Sequence, residues 1–345
     1  MAEDICFINK ETLIHVYPQK KQSIQSRTIL IMFSMLIGIY ICWICIEQSK
    51  TLPISHNEVI DRPRLSSCHF EAVDSSQLPY LHYPKPDTFS RDECECNPVR
   101  LFVIVSEQRS GSGWFETLLN SHVNVSCNGE IFSIKERRTN ISSIVKTLDK
   151  VYNLDLFTSA SKNHCSAAVG FKWMLNQGLI NHHKEIVEYF NRRGVSLVFV
   201  LRRNLLSRMV STLANSYDRY AKLLNGVHKS HVHSPREAKI LSRYKPTIDS
   251  ESLVSNLDEM KVTMMRALEI FKGTRHMVLY YEDVVKNQNN KLVEVQKFLK
   301  LPVRRLSSMQ VKIHTGRLSN HIMNWEEVYK TLKGTAYERF LGFDY

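Results

Sequence analysis

The stretch from Leu101 to Phe115, LFVIVSEQRSGSGWF, constrains this chain more than any other. Leu101 to Val105 is a short, nearly continuous apolar run rich in β-branched residues. That is the pattern of a strand buried on both faces near the centre of a parallel sheet. Gly111 and Gly113 mark a turn of small residues, after which Trp114-Phe115-Glu116-Thr117-Leu118-Leu119 carries apolar residues at helical spacing. Strand, glycine turn and helix together make an anion cradle. Glycine lets the backbone approach the ligand, successive N–H groups point at it, and the new helix offers its positive end. Arg109 adds a fixed charge and a planar fork of donors. The expected ligand is an oxyanion. The turn lacks the Gly-Lys-Ser/Thr of a Walker loop and the G-x-G-x-x-G spacing of a dinucleotide fold, which excludes both.

From Leu101 onward, strand-like and helix-like stretches alternate, which predicts an α/β domain with a mainly parallel central sheet. Strands are expected at 101–105, 167–173, 196–201 and 277–281. Helices are expected at 113–120, 142–152, 183–193, 203–224, 252–271 and 286–299. Ligands of such sheets gather beyond the carboxyl ends of the strands, so polar residues there are candidates. The strand Val198–Leu201 runs straight into Arg202-Arg203, and Ser211 follows Arg203 by eight residues, about two helical turns. Arg203 and Ser211 can then face one phosphate. Lys172 stands at the end of another strand, where a buried charge is costly unless paired. Glu130 lies twenty-one residues beyond Arg109, room for a helix and a return strand that bring it back to the same edge. It is the expected general base, with His122 as its rival. His228, His231 and His233 lie in a stretch without a carboxylate or cysteine at ligand spacing, so a solvated loop is expected there rather than a metal site.

Thr28 to Ile46 contains no charged residue over nineteen positions, roughly 28 Å of helix, enough for one bilayer core. Its bulky end offers no cleavage site for a signal peptide. Lys20, Lys21 and Arg27 precede it and Lys50 alone follows closely, so the expected topology is type II. The expected organisation is a cytosolic tail at 1–27, an anchor at 28–46, a proline-interrupted stem at 47–98 and a lumenal domain at 99–345. Five cysteines, Cys68, Cys94, Cys96, Cys127 and Cys165, follow the anchor; an odd number leaves at least one free or paired between chains. Cys94 and Cys96 are expected disulfide partners, Cys68 among the candidates. Sequons at Asn124 and Asn140 fit a lumenal domain. The net charge of +12 suits an anionic partner without naming one, and the anchor argues against a soluble nucleic-acid binder.

The loop Arg109-Ser110-Gly111-Ser112-Gly113-Trp114 resembles the 5′-phosphosulfate loop of sulfotransferases that use PAPS, the activated-sulfate nucleotide. The Arg203-Asn204 and Ser211 pair resembles that family's 3′-phosphate element, a register that implies Arg202 points elsewhere. Gln310 to Trp325 loosely resembles its late basic loop, which brings Lys312 and Arg317 in as nucleotide contacts. Tyr281-Glu282-Asp283 is similar to an architectural element of the family that caps the following helix. The order of motifs over residues 100–345 is most similar to membrane-bound, nodulation-protein-H-like carbohydrate sulfotransferases. That resemblance implies a P-loop-type three-layer α/β/α fold and a place in the Golgi membrane. It also implies PAPS as donor and PAP as product, no required metal, and transfer to a glycan hydroxyl. In that scheme Glu130 is the base, and Arg109, Ser112 and Lys172 stabilise developing charge. A type II glycosyltransferase fits the same topology, but the chain contains no Asp-x-Asp triplet. A tethered binding protein with a decayed site is the other alternative.

Overall fold

The computed structural model describes residues 32–44 and 74–342, apart from 159, 160 and 163. Residues 32–44 are helical. The tail at 1–27 and the rest of the expected anchor lie outside the described residues. Among the described residues no helix is long and apolar enough to cross a membrane. The second unit of the chain runs from His69 to Tyr345.

Its centre is a sheet of five strands, β1 Arg100–Ser106, β2 Val125–Cys127, β3 Ala168–Met174, β4 Val195–Leu201 and β5 His276–Tyr280. All pairings are parallel, in the order β2-β3-β1-β4-β5. The helices are α1 Ser112–Asn120, α2 Ile141–Tyr152, α3 His183–Arg192, α4 Leu205–Ala221 and α5 Pro235–Leu241. They continue with α6 Leu253–Ile270, α7 Tyr281–Lys286, α8 Gln288–Phe298 and α9 Trp325–Leu332.

The continuous apolar run of β1 has a direct cause. Leu101, Val103 and Val105 pack with residues of α2, α3 and α6 on one face, while Phe102 and Ile104 pack with α1 and α8 on the other. Helices therefore cover both faces, and the three-layer expectation matches this arrangement. Each side chain so buried contributes roughly 1.5–3 kcal/mol relative to exposure. β1 is central, and the chain leaves it to β2 and β3 on one side and β4 and β5 on the other. This is a topological switch point, and Ser106 lies level with both Met174 and Val200. The loops after β1, β3 and β4 thus leave the sheet along one line.

Four differences from the sequence reading have physical reasons. β2 is three residues long, too short to display a period. The helix expected from Arg203 begins at Leu205, because the Asn204 side chain accepts from the Ser207 N–H (2.9 Å) as an N-cap. The last expected helix, 286–299, is α8, and an unexpected helix, α7, precedes it directly from β5. Finally, residues 74–98, within the expected stem, are tied to the domain by contacts that no local pattern signals. His82 and Val99 exchange backbone hydrogen bonds (3.0 and 2.7 Å), Arg91 donates to the His164 carbonyl (3.0 Å), and Cys94 is bonded to Cys165. Cys96 is also disulfide-bonded, and Cys127 is a buried free thiol.

Candidate active site

Beyond the carboxyl ends of the strands lies a cavity of about 370 Å³. The turn between β1 and α1 forms one wall. Arg109 takes a left-handed backbone (φ 64°) and so does Gly111 (φ 86°), and α1 starts at Ser112. The first hydrogen bond back into the turn is from Phe115 N–H to the Gly111 carbonyl (3.0 Å). The amides before it belong to the donors a helix start leaves without an intrahelical partner. Two glycines are required by close approach. A Cβ on Gly111 would fall 2.3 Å from the Tyr281 ring, and one on Gly113 would fall 2.4 Å from Nε2 of His231.

The Arg109 guanidinium spans from this turn to α4. Its Nε donates to Ser211 Oγ (2.9 Å), and Nη1 donates to the Ser230 carbonyl (2.7 Å) and to Asn215 Oδ1 (3.5 Å). Beneath the turn, Arg208 of α4 forms a buried ion pair with Glu107 at 2.5 Å. Burial raises the Glu107 carboxyl above its ordinary value, and Arg208 opposes that rise.

On the β3 side, Lys172 reaches the cavity from a strand whose every residue is buried. Its Nζ lies 3.0 Å from Glu116 of α1 and 3.7 Å from Glu130. Glu130 is about a third exposed at its side chain and accepts a hydrogen bond from Gln177. Gln177 is itself fixed: its carbonyl accepts from Trp173 Nε1 (2.9 Å) and its Oε1 from Met174 N–H (3.4 Å). A buried turn thus aims the amide that orients the carboxylate.

Of the residues singled out from the sequence, Arg109, Gly111, Ser112, Gly113, Trp114, Glu130, Lys172, Ser211 and Lys312 line this one cavity. Three do not. Ser110 is fully buried under the turn, and its hydroxyl has no hydrogen-bond partner among the described residues. Arg317 is exposed and outside the cavity wall.

Arg203 is the third. The strand-end arginine that faces the cavity is Arg202, contrary to the expected register. Arg202 is buried, lies 5.1 Å from the Tyr281 ring centroid and donates to the Arg109 carbonyl (3.3 Å). Arg203 turns outward, over the Tyr280 ring and into a two-pronged pair with Asp283, whose second contact is 2.7 Å. The backbone N–H groups of Arg203 and Asn204 both donate to the Glu282 carboxylate (3.1 Å each). Tyr281-Glu282-Asp283 therefore braces the start of α4, not only its own helix. His122, the rival base, is buried away from the cavity, its Nε2 against the Pro302 carbonyl (2.9 Å).

Sequence reasoning missed Glu116, Arg202, His231, His314 and Tyr281 as cavity or near-cavity residues. The expected solvated histidine loop is in fact part of the wall. His228 pairs with Asp218 (2.7 Å) and with Ser230 Oγ (3.1 Å), and Val232 bridges to Val311. His231 opens on the cavity and keeps an exposed side there. Burial first, then Arg109, Lys172 and His233, push its imidazole down to about 4. His314 is pushed to about 3 by burial, then by His321, Arg109 and Arg202. Burial, and next Arg202, also lower the Lys312 ammonium. In all three desolvation is the larger cause, and the neighbouring positive groups add to it. Among the described lining residues Arg109, Lys172, Arg202, Arg219 and Lys312 are cationic and Glu130 alone is a carboxylate. Such a cavity suits a ligand carrying several negative charges, and Trp114 against Tyr281 (centroids 6.0 Å apart, edge-on) supplies an aromatic wall.

No protein-family model matches the chain, and no curated protein matches it. Among solved structures the chain is similar to a sulfotransferase from Alicyclobacillus acidocaldarius, 13% identical, covering 61% of this chain and 85% of that one at a TM-score of 0.35. It is also similar to the sulfotransferase domain from the curacin biosynthetic pathway, 14% identical over 71% of this chain and 83% of that one, at a TM-score of 0.30. Likenesses this distant leave the chemistry to be read from the side chains.

Proposed function

We propose that the protein is a sulfotransferase that moves a sulfuryl group from PAPS to a hydroxyl of a carbohydrate acceptor. The observation that carries this reading is the meeting, in one cation-rich cavity, of an anion cradle and a carboxylate–lysine pair. The residues present fit the donor nucleotide. The amides at the start of α1 and Arg109 would hold its 5′-phosphosulfate. Ser211, with Arg202 in place of the expected Arg203, would hold the 3′-phosphate. Trp114 and Tyr281 offer aromatic faces to the base. When bound, the donor supplies an electrophilic sulfur already attached to a good leaving group.

Glu130 takes the proton of the attacking hydroxyl, in the orientation Gln177 imposes. Lys172, its Nζ 3.7 Å from Glu130, holds the carboxylate beside the transferred group and stabilises negative charge there. Glu116 supplies the countercharge that makes a buried ammonium tolerable in β3. Catalysis of this kind is positioning plus electrostatics. The uncharged stretch from Thr28 to Ile46 supports a membrane-anchored, type II placement, and with a glycan acceptor that suggests the Golgi lumen.

Calorimetry of adenosine 3′,5′-bisphosphate against the purified full-length chain tests the donor half of this reading. Low-micromolar binding, weakened at least about tenfold in Arg109→Ala, is expected; tenfold corresponds to about 1.4 kcal/mol. Transfer of labelled sulfate from PAPS to a panel of glycans tests the acceptor half. A folded sample that binds no bisphosphate overturns the proposal.

A further inference from the structure

His231 is the one imidazole of the cavity wall that stands against the anion cradle itself. A Cβ on Gly113 would meet its Nε2 at 2.4 Å and its Cε1 at 2.5 Å, so the ring lies directly over the first turn of α1. It opens on the cavity, and neither ring nitrogen has a hydrogen-bond partner among the described residues. His228, three residues earlier, is instead held on both nitrogens, by Asp218 and by Ser230. The loop around His231 is not slack. The Ser230 carbonyl accepts from Arg109 (2.7 Å), and the Val232 carbonyl accepts from the Val311 N–H (2.9 Å). Two anchors therefore fix the residues on either side of an imidazole whose Nε2 lies against the first turn of α1.

On the sulfotransferase reading, which this inference rests on, we infer that His231 is a donor-binding residue that hydrogen-bonds the 5′-phosphosulfate from beside the α1 amides. The charges facing the ring are Arg109, Lys172 and His233 on its own loop; desolvation first, and then these groups, lower the imidazole to about 4. A dianion placed between these cations reverses the field, so the imidazole takes up a proton as the ligand arrives. In that form it donates a charge-assisted hydrogen bond where negative charge grows on the leaving phosphate. No group other than that proton changes hands.

The sign of the linkage follows. A group whose value is raised by the ligand favours binding below that value, so affinity rises as pH falls. The bisphosphate's own phosphates titrate too, and the comparison with a variant removes their share. The test is calorimetry of adenosine 3′,5′-bisphosphate with the full-length chain and with His231→Gln and His231→Asn, at pH 6 and pH 8, in two buffers of different ionisation heat. The variants are expected to bind about tenfold more weakly at pH 6, to differ from the parent by less than about twofold at pH 8, and to take up fewer protons. Equal affinities and equal proton uptake in a parent that does bind overturn the inference and leave the proposed function standing. No binding by the parent overturns both. A readout that needs no variant is modification of the parent by diethyl pyrocarbonate, mapped by peptide mass. The bisphosphate is expected to protect His231, and unchanged labelling counts against its place at the ligand.

Discussion

The two ends of the cavity hold their cations in different ways. At the β1–α4 end, Arg109 is oriented by neutral oxygens, those of Ser211, Ser230 and Asn215. At the β3 end, Lys172 is oriented by two carboxylates, Glu116 and Glu130. Neutral acceptors fix a guanidinium without cancelling its charge, whereas carboxylates fix an ammonium and balance it. One end is therefore prepared for charge that arrives with a ligand. The other carries its own balance and suits the movement of a proton. The donor and acceptor halves of a transfer reaction divide along the same line, and each prediction below separates them or fails to.

The largest separation is expected at Glu130. Glu130→Gln keeps the shape and the Gln177 contact but cannot accept the proton, so turnover falls about 100- to 10,000-fold. Bisphosphate affinity stays within about threefold, because the donor end is untouched. Parallel loss of both would merge the two ends. The next effect is on stability. Arg208→Ala strips the partner from Glu107, and both side chains are only 11% exposed. Leaving a buried carboxylate without its partner costs about 3–5 kcal/mol, read from urea unfolding. The pair braces the floor of the arriving-charge end, so bisphosphate binding should weaken along with stability there, while Lys172 and Glu130 keep their contacts.

The difference between the ends also explains what was legible beforehand. The cradle was legible because it is local. Apolar run, two glycines and helix all fall within Leu101–Phe115, and each piece announces its neighbour. Lys172 was legible because a charge inside a buried strand needs a reason. The choice between Arg202 and Arg203 was not, because it depends on Glu282 and Asp283, about eighty residues away. Those carboxylates draw Arg203 outward and leave Arg202 facing Tyr281. Ser211 keeps its place because helical spacing inside α4 is indifferent to which arginine precedes it. His231 sits on a loop with no period at all, held by partners on β1's turn and on the segment at Val311. The packing of residues 74–98 was hidden for the same reason: the contacts that hold them on the domain, Cys94 with Cys165 and Arg91 with His164, are long-range.

A narrower cut through the same comparison sets neighbours against each other. Arg202→Ala is expected to weaken bisphosphate binding about tenfold, as the loss of a charge-assisted contact, and Arg203→Ala less than about twofold. The reverse order would restore the expected Arg203–Ser211 register.

The smallest effect is expected at the pair Arg203 turns to. Both side chains are well exposed, 47% and 38%, and solvent screens them, so Asp283→Asn costs less than about 1 kcal/mol at pH 7. Its pH dependence carries the information. The Arg203 hydrogen bond, more than any other cause, holds the Asp283 carboxyl below its ordinary value. A carboxylate lowered on folding stabilises above its unfolded value, near 3.9, and that contribution fades as pH falls through the folded one. Parent and Asp283→Asn unfolding curves should therefore converge in acid and separate slightly at neutrality. Bisphosphate affinity should not follow them, because the pair braces α4 from outside the cavity. If Asp283→Asn instead tightens binding, Arg203 released from its partner has swung to the ligand. The outward pose would then be one of two that the guanidinium can hold.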